Sequence, residues 1–449
     1  MKKTSINKTS INTKLSLIFS GEIPDIMDII LMFLDLPDLI KQMTTSKHFN
    51  RIIRTLPVNF FGYNYPENIS LDLMRTFPRL QSITLGQTAY QSLNISDKQF
   101  FFNFPHLQQI HLDVATESFI GLPNLKSLRV NSVMNLDKNI KLLPNKDNLK
   151  MLAIDCLNRR SDELYDGEHL SDIMPNLETL HVRYRDFTDN FYHNFRGLIE
   201  LCLVWCNEIT DEAFRDLPNL ERLYMRNTSI GDDAFRYIPQ LKLLHFEDCF
   251  GLTNKAFQHL TQLECLKIPY LSSTQGITDD AFIHLGNLKE LRLPAMHDDS
   301  ADQNSFTVGI FKYLPNLKRL DLSGSNLLGP ELFKVLYQKF DWLNICQLSR
   351  KPFKMTRKIF LKLYVKELYI DETYVRMTRD DLNCLVKNGL KHLSFVIDRY
   401  FTDSRFSPII YNNKTFDAKN ARNYFRWTVK FIKKKRAELD MIRMEYIAF

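Results

Sequence analysis

The chain has 449 residues, 44% of them hydrophobic and 25% charged, with 14 glycines and a formal net charge of +7. Such a chain can bury an extensive core, and its scarcity of glycine argues against an enzyme built on Gly-rich phosphate loops. Residues 1–20 carry +4 and residues 414–449 carry +6, which leaves the body near −3 and argues against a nucleic-acid footprint there.

Residues 1–20 read as a flexible basic tail with Lys2, Lys3, Lys8 and Lys14. The apolar run Leu15–Phe19 is short and soon meets Glu22 and Pro24, so no secretory signal is expected. The stretch Ile29–Leu34 falls far short of the roughly 20 residues a bilayer requires, so no membrane partner is expected. Seven cysteines without paired short spacings fit reduced thiols in a cytoplasmic and/or nuclear compartment.

Residues 21–60 form a second segment, expected to be all-α. Ile26, Ile29, Ile30, Phe33 and Leu34 recur at helical spacing, Pro37-Asp38 starts a second helix, and Ser46 is placed to cap a third. A unit of this size cannot bury all its apolar residues internally, so some must face another body. Ile23-Pro24, Ile30, Leu34, Asp38-Leu39, Ser46-Lys47 and Phe49 resemble the F-box, although Thr45 stands where that family usually has Val and its frequent Trp is missing. The resemblance implies binding to a Skp-type adaptor, and through it a cullin complex, by Ile23, Pro24, Ile30, Leu34, Leu39 and Phe49.

From residue 61 to 397 one pattern dominates: Leu, two residues, an aliphatic residue, one residue, another apolar residue. Fourteen copies run from Leu80-Ile83-Leu85 through Leu220-Leu223-Met225 and Leu343-Cys346-Leu348 to Leu390-Leu393-Phe395, mostly 21 to 29 residues apart. That period is the leucine-rich-repeat period. The last two apolar residues alternate across one outward residue, which predicts a short strand. In Ile209-Thr210-Asp211-Glu212-Ala213-Phe214 and its equivalents at 230–235 and 277–282, Thr or Asp is placed to cap a helix whose Ala-Phe pair turns inward. The expected fold is therefore α/β, a leucine-rich-repeat solenoid with parallel strands on a concave face and helices on the convex face, preceded by the F-box-like module. Cys206 before Ile209-Thr210-Asp211 and Cys249 before Leu252-Thr253-Asn254 resemble the cysteine-containing repeats of F-box proteins. Buried packing is the expected role of Cys156, Cys206 and Cys249.

The residue between each inward pair points onto the strand face, giving Thr84, His111, Arg129, Ala153, His181, Cys202, Tyr224, His245, Lys267, Arg292, Asp321, Gln347, Tyr369 and Ser394. His181, Arg183, Arg222, Tyr224, Arg226, His245, Lys267 and Arg292 gather there as the candidate target-binding set, an aromatic among cations suited to an acidic or phosphorylated segment. Glu200, Glu247 and Glu290 interrupt it. Two longer repeats carry the acid-rich loops 158–172 and 295–305.

Residues 398–449 read as a basic helical cap, with Tyr424, Phe425, Val429, Ile432, Leu439 and Ile442 as its apolar members. Lys433-Lys434-Lys435-Arg436 fits a solvated helix face, a nuclear localisation signal or an RNA contact. No His-Glu-x-x-His, Cys-x-x-Cys, Gly-x-Ser-x-Gly or Walker-type motif occurs, so neither catalysis by this chain nor a cofactor or metal is expected. The combined resemblance implies a non-catalytic, target-recognising subunit of a Skp-cullin-F-box ubiquitin ligase. The alternatives are an interaction scaffold whose N-terminal helices only cap the solenoid, and a nucleic-acid-binding protein acting through its basic C-terminus.

Overall fold

The structure, a computed structural model, describes residues 59–61, 71–75 and 77–397, apart from several single or paired positions and the segments 86–92, 157–169, 269–276, 294–305, 326–330, 347–356 and 372–378; beyond these it describes only strands at 410–411, 414–415 and 443–448. The F-box-like segment, with Ile23, Pro24, Ile30, Leu34, Leu39 and Phe49, lies outside the described residues, as do most of both acid-rich loops.

Two compact units divide the chain, Met1–Arg185 and Asp186–Phe449. In the first, β1 (Asn59–Phe61), β2 (Ser82–Leu85), β3 (Gln109–Leu112), β4 (Ser127–Val130), β5 (Met151–Asp155) and β6 (Thr179–Arg183) pair in parallel in chain order. In the second, the parallel order is β7 (Glu200–Val204), β8 (Arg222–Arg226), β9 (Leu243–Glu247), β10 (Cys265–Lys267), β11 (Glu290–Arg292), β12 (Arg319–Asp321), β13 (Lys339–Asn344), β14 (Tyr364–Asp371) and β15 (His392–Ile397). Short β16 (Ile410–Tyr411) and β17 (Lys414–Thr415) form an antiparallel pair, and β18 (Arg443–Ala448) extends the main sheet in parallel beside β15.

Each unit is thus a leucine-rich-repeat solenoid in which the register stacks like residues. Leu223 pairs with Leu201 and Leu244, and Leu266 with Leu244 and Leu291, so aliphatic side chains form continuous inward columns. Leu201, Leu223, Leu244, Leu266 and Leu291 are all at most 1% exposed. Fully burying one such side chain is worth about 1.5–3 kcal/mol, and each repeat obtains that burial only from its neighbours.

The connections between strands are shorter than the helices expected. In the second unit most are single 3-10 turns, at Asp211–Phe214, Asp232–Arg236, Asn254–His259, Asp279–Phe282 and Val308–Tyr313. Their bonds close over three residues, as where Ala213 N–H donates to Thr210 O at 3.2 Å. A repeat of little more than twenty residues, less its strand and two reversals, leaves no room for several α-turns. The Ala-Phe pairs still point inward, as Ala213-Phe214, Ala234-Phe235, Ala256-Phe257 and Ala281-Phe282 are buried. Thr210, Thr253, Thr278 and Thr307 cap their turns by accepting from the N–H two residues on.

Two side-chain ladders tie consecutive turns in the second unit. Asp189 accepts from Thr210 N–H at 2.9 Å and its hydroxyl at 2.6 Å, Asp211 accepts from Gly231 N–H at 2.6 Å, and Asp279 accepts from Thr307 N–H at 2.7 Å. Asn219, Asn287 and Asn316, each just before the first leucine of a repeat, donate to the carbonyls of Arg196, Thr261 and Gly286 at 2.9 Å. The same asparagine device recurs in the first unit, where Asn124 donates to Pro105 O at 2.8 Å, and Asn145, four residues before Leu149, donates to Pro123 O at 2.8 Å.

Two expectations are corrected. Strand β13 uses Phe340-Leu343-Ile345 rather than Leu343-Cys346-Leu348, because Leu343 pairs with Leu320 and Phe340 with Val365. Both frames satisfy the spacing, three residues apart, and the aromatic Phe340 disguises the correct one; it is 1% exposed. The chain end, expected to be helical, places Arg443–Ala448 in a strand. Pairing with β15 satisfies backbone groups that a sheet edge would otherwise leave open. Residues 416–442, which include most of the proposed helical cap and the Lys433–Arg436 run, lie outside the described residues.

Candidate partner-binding face

The register that buries the leucines necessarily turns the intervening residues outward. Along β8 the order intermediate, buried, intermediate, buried, exposed belongs to Arg222, Leu223, Tyr224, Met225 and Arg226. In the second unit the central outward column is Cys202, Tyr224, His245, Lys267, Arg292, Asp321, Asn344 and Tyr369 by register, and Ser394 takes the next register position. Asn344 takes the place expected for Gln347. Thr84, Ala153 and Cys202 hold their predicted register but are buried, at 8%, 0% and 9% exposure. Their short side chains sit below longer neighbours such as Arg129 beside Ala153 and Tyr224 beside Cys202.

Of the eight expected target-binding residues, His181 and Arg183 lie on β6 in the first unit. Arg222, Tyr224, Arg226, His245, Lys267 and Arg292 share the strand face of the second. The cations there are not bare. Arg222 Nε meets Glu200 at 2.7 Å, Arg226 Nε meets Glu247 at 3.2 Å, Lys267 Nζ meets Glu290 at 2.9 Å, and Arg292 Nε meets Asp321 at 3.5 Å. Arg319 also reaches Glu290, at 3.4 Å. In the first unit Asp155 stands between Arg129 at 3.2 Å and Arg183 at 3.5 Å. The glutamates that interrupted the patch in sequence are therefore its counter-charges, and the face is a charge-balanced lattice. Pairs this exposed are worth about 0–1 kcal/mol each, so a partner can displace them cheaply.

The aromatic and titrating groups are tuned by partial burial. Tyr224 and His245 meet edge to face with centroids 5.8 Å apart. Burial pushes the Tyr224 phenol upward, and the Glu200 carboxylate adds to it. Burial also lowers His245 below 6.5, outweighing its 3.3 Å contact with Glu247, while Lys267 and Arg292 oppose protonation further. For Lys267 burial alone acts downward, but the hydrogen bond to Glu290 and neighbouring charges leave it raised.

Farther along the same unit lies an aromatic group that the sequence reading did not assemble. Trp342 on β13 lies 5.3 Å from Tyr369 on β14, and Tyr369 lies 5.7 Å from His392 on β15, centroid to centroid. The Arg319 guanidinium sits 5.2 Å over the Trp342 ring. The frame Phe340-Leu343-Ile345 turns Trp342 outward, whereas the frame Leu343-Cys346-Leu348 does not.

All seven cysteines are thiols rather than disulfides. Cys249 donates to Glu247 O at 3.3 Å and lies 3.4 Å from the Thr228 hydroxyl, which fixes it as a turn-packing residue. Among the described residues no group of three His, Cys, Asp or Glu side chains is placed to hold a metal ion. None of their helices is long and apolar enough to cross a membrane.

Residues 206–335 match the BspA-type leucine-rich repeat region in six copies. No curated protein matches the chain in sequence. Among solved structures it is similar to a chain of the yeast Rad7 and Elc1 complex, with 15% identity, TM-score 0.38, and coverage of 84% of this chain and 97% of that one. It is also similar to a chain of the TLR13–ssRNA13 complex, with 17% identity, TM-score 0.44 and coverage of 78% and 56%. A third similarity is to the mouse RP105/MD-1 complex, with 16% identity, TM-score 0.42 and coverage of 86% and 58%.

Proposed function

We propose that this protein is a non-catalytic, target-recognising subunit of a Skp-cullin-F-box ubiquitin ligase. The coarser part of that reading is a leucine-rich-repeat scaffold for protein interaction. The observation that carries it is the strand face of the second unit, where a buried leucine lattice holds rows of partly exposed charged and aromatic side chains at fixed spacing. Rigid presentation of aromatic and arginine side chains is what protein recognition draws on most.

The finer part is supported by sequence. Ile23-Pro24, Ile30, Leu34, Leu39 and Phe49 follow the F-box pattern directly before the repeats. In this role the N-terminal segment takes a Skp-type adaptor, the strand face takes the target, and other subunits transfer ubiquitin. The test is capture of a purified Skp-type adaptor by the intact chain, with Pro24→Ala plus Leu34→Ala as the matched control.

A further inference from the structure

We propose that Trp342, Glu367, Tyr369 and His392 form a docking site for a lysine or arginine side chain of a partner protein. The inference rests on the interaction-scaffold reading above and is independent of the adaptor. Glu367 is the register partner of both Trp342 and His392, so it occupies the strand position between theirs, and Tyr369 follows two residues later on the same face. The carboxylate is exposed, while the three rings are half-buried and held against one another.

Charge decides what fits there. The outward carboxylates on β7 to β12, Glu200, Glu247, Glu290 and Asp321, each meet an arginine or lysine on an adjacent strand. Glu367 departs from that rule, having no cation within ion-pair distance among the described residues. Lys366, its neighbour in sequence, is held by Asp341 at 2.6 Å. In the column that holds Glu367, Arg319 lies two strands away and pairs in register with Trp342 rather than with Glu367. An exposed carboxylate flanked by aromatic rings attracts a cation twice, through its charge and through the ring quadrupoles, and an acidic segment would be repelled. Trp342 already accepts one guanidinium, that of Arg319, which shows the indole acting in this way within the fold.

The test uses the full chain and two dye-labelled dodecapeptides of Gly, Ser and Leu, one with three lysines and one with three glutamates, followed by fluorescence polarisation. The lysine peptide is expected to bind more tightly, and Glu367→Gln and Trp342→Ala each to weaken it about fivefold or more. Glu117→Gln, the same charge change in the first unit, is expected to leave it unchanged. Circular dichroism melting confirms that the variants stay folded. Tighter binding of the glutamate peptide, equal weakening by Glu117→Gln, no effect of Glu367→Gln, or binding of neither peptide overturns the proposal. Adaptor capture depends on residues 23–49 and is expected to survive these substitutions, so the two readings fail separately.

Discussion

The carboxylate of Asp232 accepts two hydrogen bonds from Thr253, one from the backbone N–H at 2.7 Å and one from the hydroxyl at 2.6 Å. Asp232 opens one helical turn and Thr253 caps the next, so a single side chain fixes the spacing of consecutive repeats. Asp232→Ala removes both bonds and leaves a partly buried N–H unpaired. It is expected to destabilise the chain by about 1–3 kcal/mol, read by denaturant unfolding, whereas Thr253→Ser keeps most of the stability. A double-mutant cycle with Thr253→Val gives a coupling well above error if the contact acts as described, and none if it does not.

Neighbouring residues on one strand have opposite roles. Leu266 is 0% exposed in the inward column, while Lys267 faces outward against Glu290. Leu266→Ala is expected to lose about 2–5 kcal/mol, and Lys267→Ala no more than about 1 kcal/mol. Similar losses for both variants would contradict the register.

Two histidines are expected to make the protein acid-sensitive. Burial lowers both His111 and His245 below 6.5 in the folded chain, so the unfolded chain takes up their protons first. Their contribution is present above pH 6.5 and is lost as pH falls through the folded values. His111 faces Asn131, Arg129, Asp155 and Asp113, and His245 faces Tyr224, Glu247, Lys267 and Arg292. His245→Gln is expected to flatten the decline of the unfolding midpoint below pH 6.5, and an unchanged slope would remove this histidine from the account.

The thiols are expected to be quiet. Burial, helped by Glu290, pushes Cys265 up to about 11, and Cys249 is raised in the same way. Thiolate is the reactive form, so at pH 7 roughly one Cys265 in ten thousand is available at any instant. Labelling of the native chain by a thiol reagent is expected to be slow, and all seven cysteines to react once urea unfolds it. Fast native labelling at Cys265 would contradict its placement.

Much of the scaffold is legible in sequence because one periodic constraint, Leu at fixed offsets, sets strand, register and inward column together. Where two frames fit equally, at Leu343, only pairing with Leu320 and Val365-bearing β14 resolves them, and Trp342 is recovered with that correction. The length of the connections was not legible, since a capping Thr and an Ala-Phe pair serve a 3-10 turn as well as an α-helix. The candidate face was legible as a set of residue types but not as a set of ion pairs. Arg222 and Glu200, 22 residues apart, become neighbours only through strand pairing. The Asn of the repeated Pro-Asn-Leu, as at Asn219 and Asn316, carried a readable signal for the turn ladder that spacing of leucines alone passes over.

Calorimetric titration of the full chain with a purified Skp-type adaptor tests the central claim most directly. The account predicts a one-to-one complex that is abolished by Pro24→Ala plus Leu34→Ala and is unchanged by Glu367→Gln. No heat of binding from the folded, intact chain, or equal binding by the double variant, would contradict it.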